Sequence, residues 1–296
     1  MTHTKKTKRK LNEFAWGWFM VLPTVIGLVV LNIIPLIATL IESFYKTGDF
    51  GKNNTFVGFA NYIKLFHNEK IWQALYNTVK YVVLEVPVSV AISIIIAVLL
   101  NRKIKGKTTY RTIFFLPMVV APAAVAMVWK WLYNSEFGLL NNLFDLQVNW
   151  ISSPSLAIYS VAAIGIWSII GYNMVLFLAG LQEIPTDYYE AAKIDGANGI
   201  RQFFSITLPL LSPTLFFVFV TRTIGALQVF DMIYIIMDRT NPALYDTQSL
   251  VYVFYQYSFV ENNYGLGATV VIILMILTLI ITAMQLFIQK RWVHYN

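Results

Sequence analysis

Residues 190–209 read EAAKIDGANGIRQFFSITLP. The segment is polar, holds two glycines and four charges, and stands between two apolar stretches that are each long enough to cross a bilayer. Upstream, Pro185 ends the preceding element, Asp187 reads as a helix N-cap, and Glu190 follows at the capping-box spacing. Asn198-Gly199 reads as a stop that tolerates left-handed backbone. The pattern predicts a helix over 187–198 of about three turns, too short and too polar for the bilayer interior and so placed along its surface. Ala192 and Gly196 are four apart and share a face on which the absence of bulk lets another backbone approach.

Composition says what surrounds the segment. The chain has 296 residues, is 57% apolar, and carries 12% charged residues and no cysteine. Soluble domains are about one quarter charged, so this is an integral membrane protein. Six apolar runs approach or exceed the roughly 20 residues that a helix needs to span, over 14–41, 78–100, 111–132, 155–182, 208–237 and 265–289. Their length and lack of alternation fit helices and not a β-barrel. The expected fold is therefore all-α with six transmembrane helices. The uncharged first run is far longer than a signal-peptide core of about 7 to 15 residues, so it reads as a retained helix. Prolines at 23, 35, 87, 117, 122 and 213 predict kinked or locally unwound spans, as suits a transporter.

Charge sets the orientation. The basic tail KKTKRK, the loop NRKIKGKTTYR, Lys193 with Arg201, and Lys290 with Arg291 hold 14 of the 22 basic residues and fall on one side of six spans. That side, with both termini, is expected to be cytoplasmic. Opposite it, Lys46, Lys52, Lys64 and Lys70 are balanced by Glu42, Asp49 and Glu69. The net charge of +7 is thus a topology signal and not a nucleic-acid footprint. The external stretch 42–80 reads as a turn followed by an amphipathic helix feeding the second span.

Glu190, Ala191 and Ala192, then Gly196, then Ile206, Leu208 and Pro209, resemble the cytoplasmic coupling loop of bacterial ABC importer permeases. The likeness continues through GLQEIPTDYYEAAKIDGA, FVGFANY, NTVKYVV, TIFFLPMVVAP, WLYNSEFGLLN and QVFDMIY, and is to the carbohydrate-uptake branch and the first of its two permease subunits. It implies a type I importer permease fold in a bacterial cytoplasmic membrane. It also implies a heterodimer with a second permease, two copies of an ATP-binding subunit that holds ATP and Mg, and an extracytoplasmic solute-binding protein. No cofactor would be bound by this chain. The short helix would sit in a cleft on the ATPase and transmit its closure to the spans, with Glu190 against a basic residue of that subunit and Asp195 a solvated charge of the same coupling set. One departure stands out: where relatives tend to carry a Gly-Gly-Pro turn, this chain has DRTNPALYDT at 238–247.

Charge inside a span is costly and faces a cavity or a partner. On a helix Arg222 shares a face with Gly225 and Val229, while Asp231, nine residues on, points roughly the opposite way. By the same resemblance, Arg222, Gly225, Ala226 and Val229, with Ser168 and Tyr172, correspond to a sugar-contacting region. Aromatic rings stack on sugar faces and amides satisfy sugar hydroxyls, so Trp167, Asn173 and Gln228 join the candidate pathway, as does Asp231. Two readings of Arg222 stay open. Facing the pathway, it would pair with a carboxylate or phosphate on an acidic glycan or sugar phosphate; facing inward, it would pair with Glu85 of the second span.

Other classes fit poorly. The sequence has no metal-ligand cluster, no nucleophile elbow and no G-x-x-x-x-G-K-[ST] loop, and His3, His67 and His294 lie outside the spans. The chain reads as a permease and not an enzyme. The alternative is an ion-coupled secondary sugar carrier in which Glu85 and Asp231 relay protons.

Overall fold

The structure is a computed structural model that describes residues 2–48, 54–102 and 104–293, with backbone alone at 2–13 and 15. Asp49, Lys52, Lys103 and His294, which entered the reading above, lie outside the described residues, as do the side chains of His3 and the basic tail.

Helix α1 (Thr2–Leu28) passes through a π-helical turn, Val29–Ile33, into α2 (Ile34–Glu42). Pro35 explains the turn: it has no N–H and its ring crowds the carbonyl four residues back, and a wider turn just before it absorbs both. A short hairpin pairs β1 (Tyr45–Lys46) antiparallel with β2 (Thr55–Phe56) and leads into α3 (Ala60–Phe66). Helix α4 (Glu69–Asn101) begins where the Asn68 side chain accepts a hydrogen bond from the Lys70 backbone N–H. The amphipathic helix and second span expected separately are thus one 33-residue helix.

The third span is broken. Helices α5 (Lys107–Val119) and α6 (Pro122–Leu132) meet at 96°, so the kink expected from the prolines of the 111–132 span is a full break. Val120 is extended, Ala121 is driven out of the helical region because it precedes a proline, and Pro122 then opens the second helix. Helix α7 (Leu139–Phe144) lies in the following loop, and α8 (Ala157–Gln182) forms the fourth span.

Helices α9 (Thr186–Ile194), α10 (Gly199–Gln202) and α11 (Leu208–Leu210) make the connecting segment, with a π-helical turn at Phe203–Thr207 just before Pro209. The fifth span is α12 (Ser212–Leu227) with α13 (Asp231–Ile236), interrupted at 228–230. A short apolar helix, α14 (Leu250–Tyr255) with a π-helical turn at Gln256–Val260, was not expected from the sequence. Helix α15 (Tyr264–Gln289) is the last span. Among the described residues, five helices are long and apolar enough to cross a membrane, and the bent pair makes a sixth span.

The core is the contact of α4 with α8. Buried positions on α4 recur at Ala74, Thr78, Tyr81, Glu85, Ser89, Ser93 and Ala97, steps of three and four that form one stripe. Its hydroxyls are satisfied locally and across the interface: Ser93 Oγ donates to the Ser89 and Ile170 carbonyls. Helix α5 packs on α8 so closely that a Cβ at Gly171 would lie 1.9 Å from the Phe114 carbonyl oxygen. The 238–247 loop is tied to this frame. Asn77 Nδ2 donates to the Tyr245 and Gln248 carbonyls, and Asn241 Nδ2 to that of Ile151. Helices α1 and α2 leave the apolar window of their span unburied, and α15 is buried only near its start, as lipid-facing helices require.

Candidate transport cavity and coupling segment

An open cavity of about 330 Å³ sits where the breaks of the third and fifth spans meet α4 and α8. Ser168, Arg222, Gly225, Gln228 and Asp231 all line it. Asp231 belongs there because the helix stops at Leu227 and α13 starts at Asp231 after three residues, with Gln228 and Phe230 outside helical φ/ψ, so the register of α12 is not carried through. The expectation that Asp231 points away from Arg222 holds only for an unbroken helix, and is corrected.

Two other candidates lie elsewhere. Asn173 is fully buried inside the bundle, with neither its Nδ2 nor its Oδ1 hydrogen-bonded among the described residues. Tyr172 is half-buried and is not among the residues of the cavity wall. Trp167 faces the outer side of α8, edge-on to Trp129 at 5.6 Å, beside an apolar cleft lined by Ile113 and Pro117. The wall also includes residues that sequence reasoning did not select: Tyr81, Met118 and Phe230. Phe230 stacks on Tyr234 with ring centroids 5.2 Å apart and meets Tyr255 at 5.3 Å, so an aromatic patch adjoins the cavity. The aromatic density of VFDMIYIIM and VYVFYQYSF is the signal that marks it.

Arg222 spans both readings given to it. Its Nη2 donates to Glu85 Oε1 at 2.8 Å, and its side chain is 17% exposed while that of Glu85 is fully buried. The guanidinium lies over Gly225, where a Cβ would be 3.2 Å from Nη1. Gly165 likewise makes room for the Tyr81 hydroxyl, 2.1 Å from where its Cβ would stand. Arg222 Nε and Glu85 Oε2 are buried and have no hydrogen-bond partner among the described residues, so the pair is held by one charge-assisted bond.

The segment 183–209 differs in detail from the helix expected at 187–198. Helix α9 runs Thr186–Ile194; Asp187 lies in its first turn, where its charge complements the helix dipole, and Pro185 holds the cap position with no side-chain bond. A capping box does not form. The stop is Gly196, at φ 77°, with its N–H bonded to the Lys193 carbonyl and the Ala197 N–H to that of Ala192. This is a Schellman closure, which needs a left-handed residue and so favours glycine. Gly196 is therefore past the helix end and does not continue the face of Ala192. Asn198 does the reverse of stopping: its side chain accepts from the Arg201 N–H and caps α10.

Glu190, Ala191 and Asp195 are exposed, Ala192, Ile206, Leu208 and Pro209 half-buried. Large apolar side chains stand out beside them, with Ile194 88%, Ile200 72% and Phe204 61% exposed. Sequence reasoning did not single out these three. Tyr189 Oη lies 3.0 Å from Thr207 Oγ1 and fastens α9 to the π-helical turn at the far end of the segment.

Broken spans around a cavity, joined to an internally hydrogen-bonded surface segment, define a multi-pass membrane transport component. The family model described as binding-protein-dependent transport system inner membrane component matches residues 89–294, and the chain belongs to that family. It is 32% identical to the trehalose/maltose transport system permease protein MalF of Thermococcus litoralis, over 98% of this chain and 99% of that one. It is 37% identical to the sn-glycerol-3-phosphate transport system permease protein UgpA of Agrobacterium fabrum, over 94% and 96%. In fold it is similar to a chain of a bacterial alginate ABC transporter solved with an alginate pentasaccharide-bound periplasmic protein, at TM-score 0.83, 23% identity and 98% of each chain. The relatives are permease subunits, so the chain is a transport component and not an enzyme, and the secondary-carrier alternative is set aside.

Proposed function

We propose that this chain is one of two permease subunits of an ATP-driven importer for oligosaccharides. A second permease completes the pathway, two ATP-binding subunits hold ATP and Mg, and an extracytoplasmic binding protein delivers the sugar. Both termini and the 183–209 segment face the cytoplasm, where most of the basic charge lies. The breaks at Val120–Ala121 and at 228–230 give the walls separate pieces to move, as alternating access demands.

The observation that carries the coupling role is the exposed face of the segment. Ile194, Ile200 and Phe204 project from backbone that is internally hydrogen-bonded and tied end to end by Tyr189 and Thr207, beside Glu190. Apolar groups this exposed at the end of spans mark a contact surface. Glu190 adds a charge that can meet a basic residue of the ATPase, and Gly196 leaves room, since a Cβ there meets nothing within 4 Å in this chain.

The test compares Gly196→Ala with Gly196→Trp in the reconstituted complex. Both replace glycine at positive φ, which costs about 1–2 kcal/mol, and only the second adds bulk. Loss of substrate-stimulated ATP hydrolysis in Gly196→Trp but not in Gly196→Ala supports docking. Normal stimulated hydrolysis in Gly196→Trp removes this account of the loop.

A further inference from the structure

The wall that this chain lends to the cavity has no spare positive charge. Arg222 and Asp231 are its charged lining residues. The charge of Arg222 is met by the fully buried Glu85 at 2.8 Å, behind the wall. Asp231 is exposed and has no hydrogen bond or ion pair among the described residues, which leaves the wall with one uncompensated negative charge. The remaining polar groups, Ser168, Gln228 and the Tyr81 hydroxyl, are neutral, and Phe230 offers an aromatic face. Hydroxyls and apolar sugar faces are the chemistry such a wall can satisfy. A carboxylate or phosphate would meet Asp231 without an unpaired cation to offset it.

We propose that Glu85 is a specificity-determining positioning residue: by neutralising Arg222 it sets this cavity for uncharged glycans and against carboxylated or phosphorylated ones. The inference deepens the sugar-permease reading and rests on it. It opposes the acidic-cargo alternative that the sequence left open for Arg222. Geometry gives Glu85 a second effect, because its bond to Nη2 ties the guanidinium down beside Gly225, where a Cβ would lie 3.2 Å from Nη1.

The test measures glycan binding to the purified permease–ATPase complex in nanodiscs, without the binding protein, whose own preference then does not enter. The probes are neutral tri- and tetrasaccharides and the same chains oxidised to uronates. ATP-driven uptake with the binding protein present, run in parallel, checks the sugar reading itself. The wild type should bind the neutral probes and exclude the uronates. Glu85→Gln frees the charge of Arg222 and should raise the ratio of uronate to neutral binding by about tenfold or more, one unit charge acting at close range in a partly dry cavity. Glu85→Gln combined with Arg222→Gln should return the ratio to the wild-type value. Asp231→Asn, which leaves the ion pair intact, should raise the ratio independently.

Uronate preference in the wild type overturns the proposal while leaving the permease reading standing. An equal loss of both probes in Glu85→Gln, with no change of ratio in Asp231→Asn, also overturns it and makes the pair purely structural. Absence of any ATP-driven glycan uptake overturns the sugar reading and the proposal together.

Discussion

Replacing Gly171 by alanine tests the close crossing of α5 and α8. The new Cβ would lie 1.9 Å from the Phe114 carbonyl oxygen, 2.5 Å from its carbon and 2.8 Å from Phe115 Cα. Ordinary contact begins near 3.4 Å, so α5 and α8 must part by about 1.5 Å at this point. All three obstructing atoms are backbone, and no side chain can swing aside. Overpacking of this kind costs about 1–3 kcal/mol, and rigid backbone puts it near the upper end. Alanine recovers about 1 kcal/mol of helix propensity over glycine. The net loss is about 2 kcal/mol, which lowers the melting temperature by about 5 °C. Because Ser168 and Ile169 line the cavity one turn or less away, uptake should fall as well. The assay is thermal unfolding of the complex in lipid, with Gly17→Ala as control, since a Cβ at Gly17 meets nothing within 4 Å. A Gly171→Ala protein as stable as the wild type would refute the crossing.

Asn198→Ala removes the side-chain cap on the Arg201 N–H and should destabilise α10 by about 1 kcal/mol; faster hydrogen exchange confined to 200–203 is the expected readout. Ile194→Asp should leave permease stability within about 0.5 kcal/mol, because the side chain is 88% exposed, yet abolish co-purification of the ATPase. Asn77→Leu orphans two carbonyls of the 238–248 region and should cost about 2–4 kcal/mol, seen as earlier thermal unfolding together with protease cleavage in that loop.

Much of the span layout was legible because hydrocarbon thickness demands long apolar runs, and residues such as Phe14–Ile41 supply them without a charge. The coupling segment was legible for the opposite reason, as polarity and glycine where apolar length was due. Boundaries inside it were not. Asn198 and Gly196 both tolerate left-handed backbone, and only the Schellman bonds of Ala197 and Gly196 decide which one ends α9. The 96° break at Ala121 was foreshadowed by Pro122, but a proline signals a fault and not its angle. The interruption at 228–230 holds no proline or glycine to announce it, so a single helical register turned Asp231 away from Arg222, although both line the cavity. Pairing of Glu85 with Arg222 joins residues 137 positions apart, and periodicity along one helix carries no information on the register between two. The apolar face of Ile194, Ile200 and Phe204 escaped notice because its residues fall on three short elements and not on one periodic helix.

The most direct measurement is labelled-oligosaccharide uptake into proteoliposomes holding the full complex, with Mg-ATP enclosed, the binding protein outside and an uncoupler present. The account predicts uptake that requires both ATP and the binding protein and is indifferent to the uncoupler. Uptake by this permease pair without its ATPase, driven by a proton gradient and abolished by the uncoupler, would contradict it.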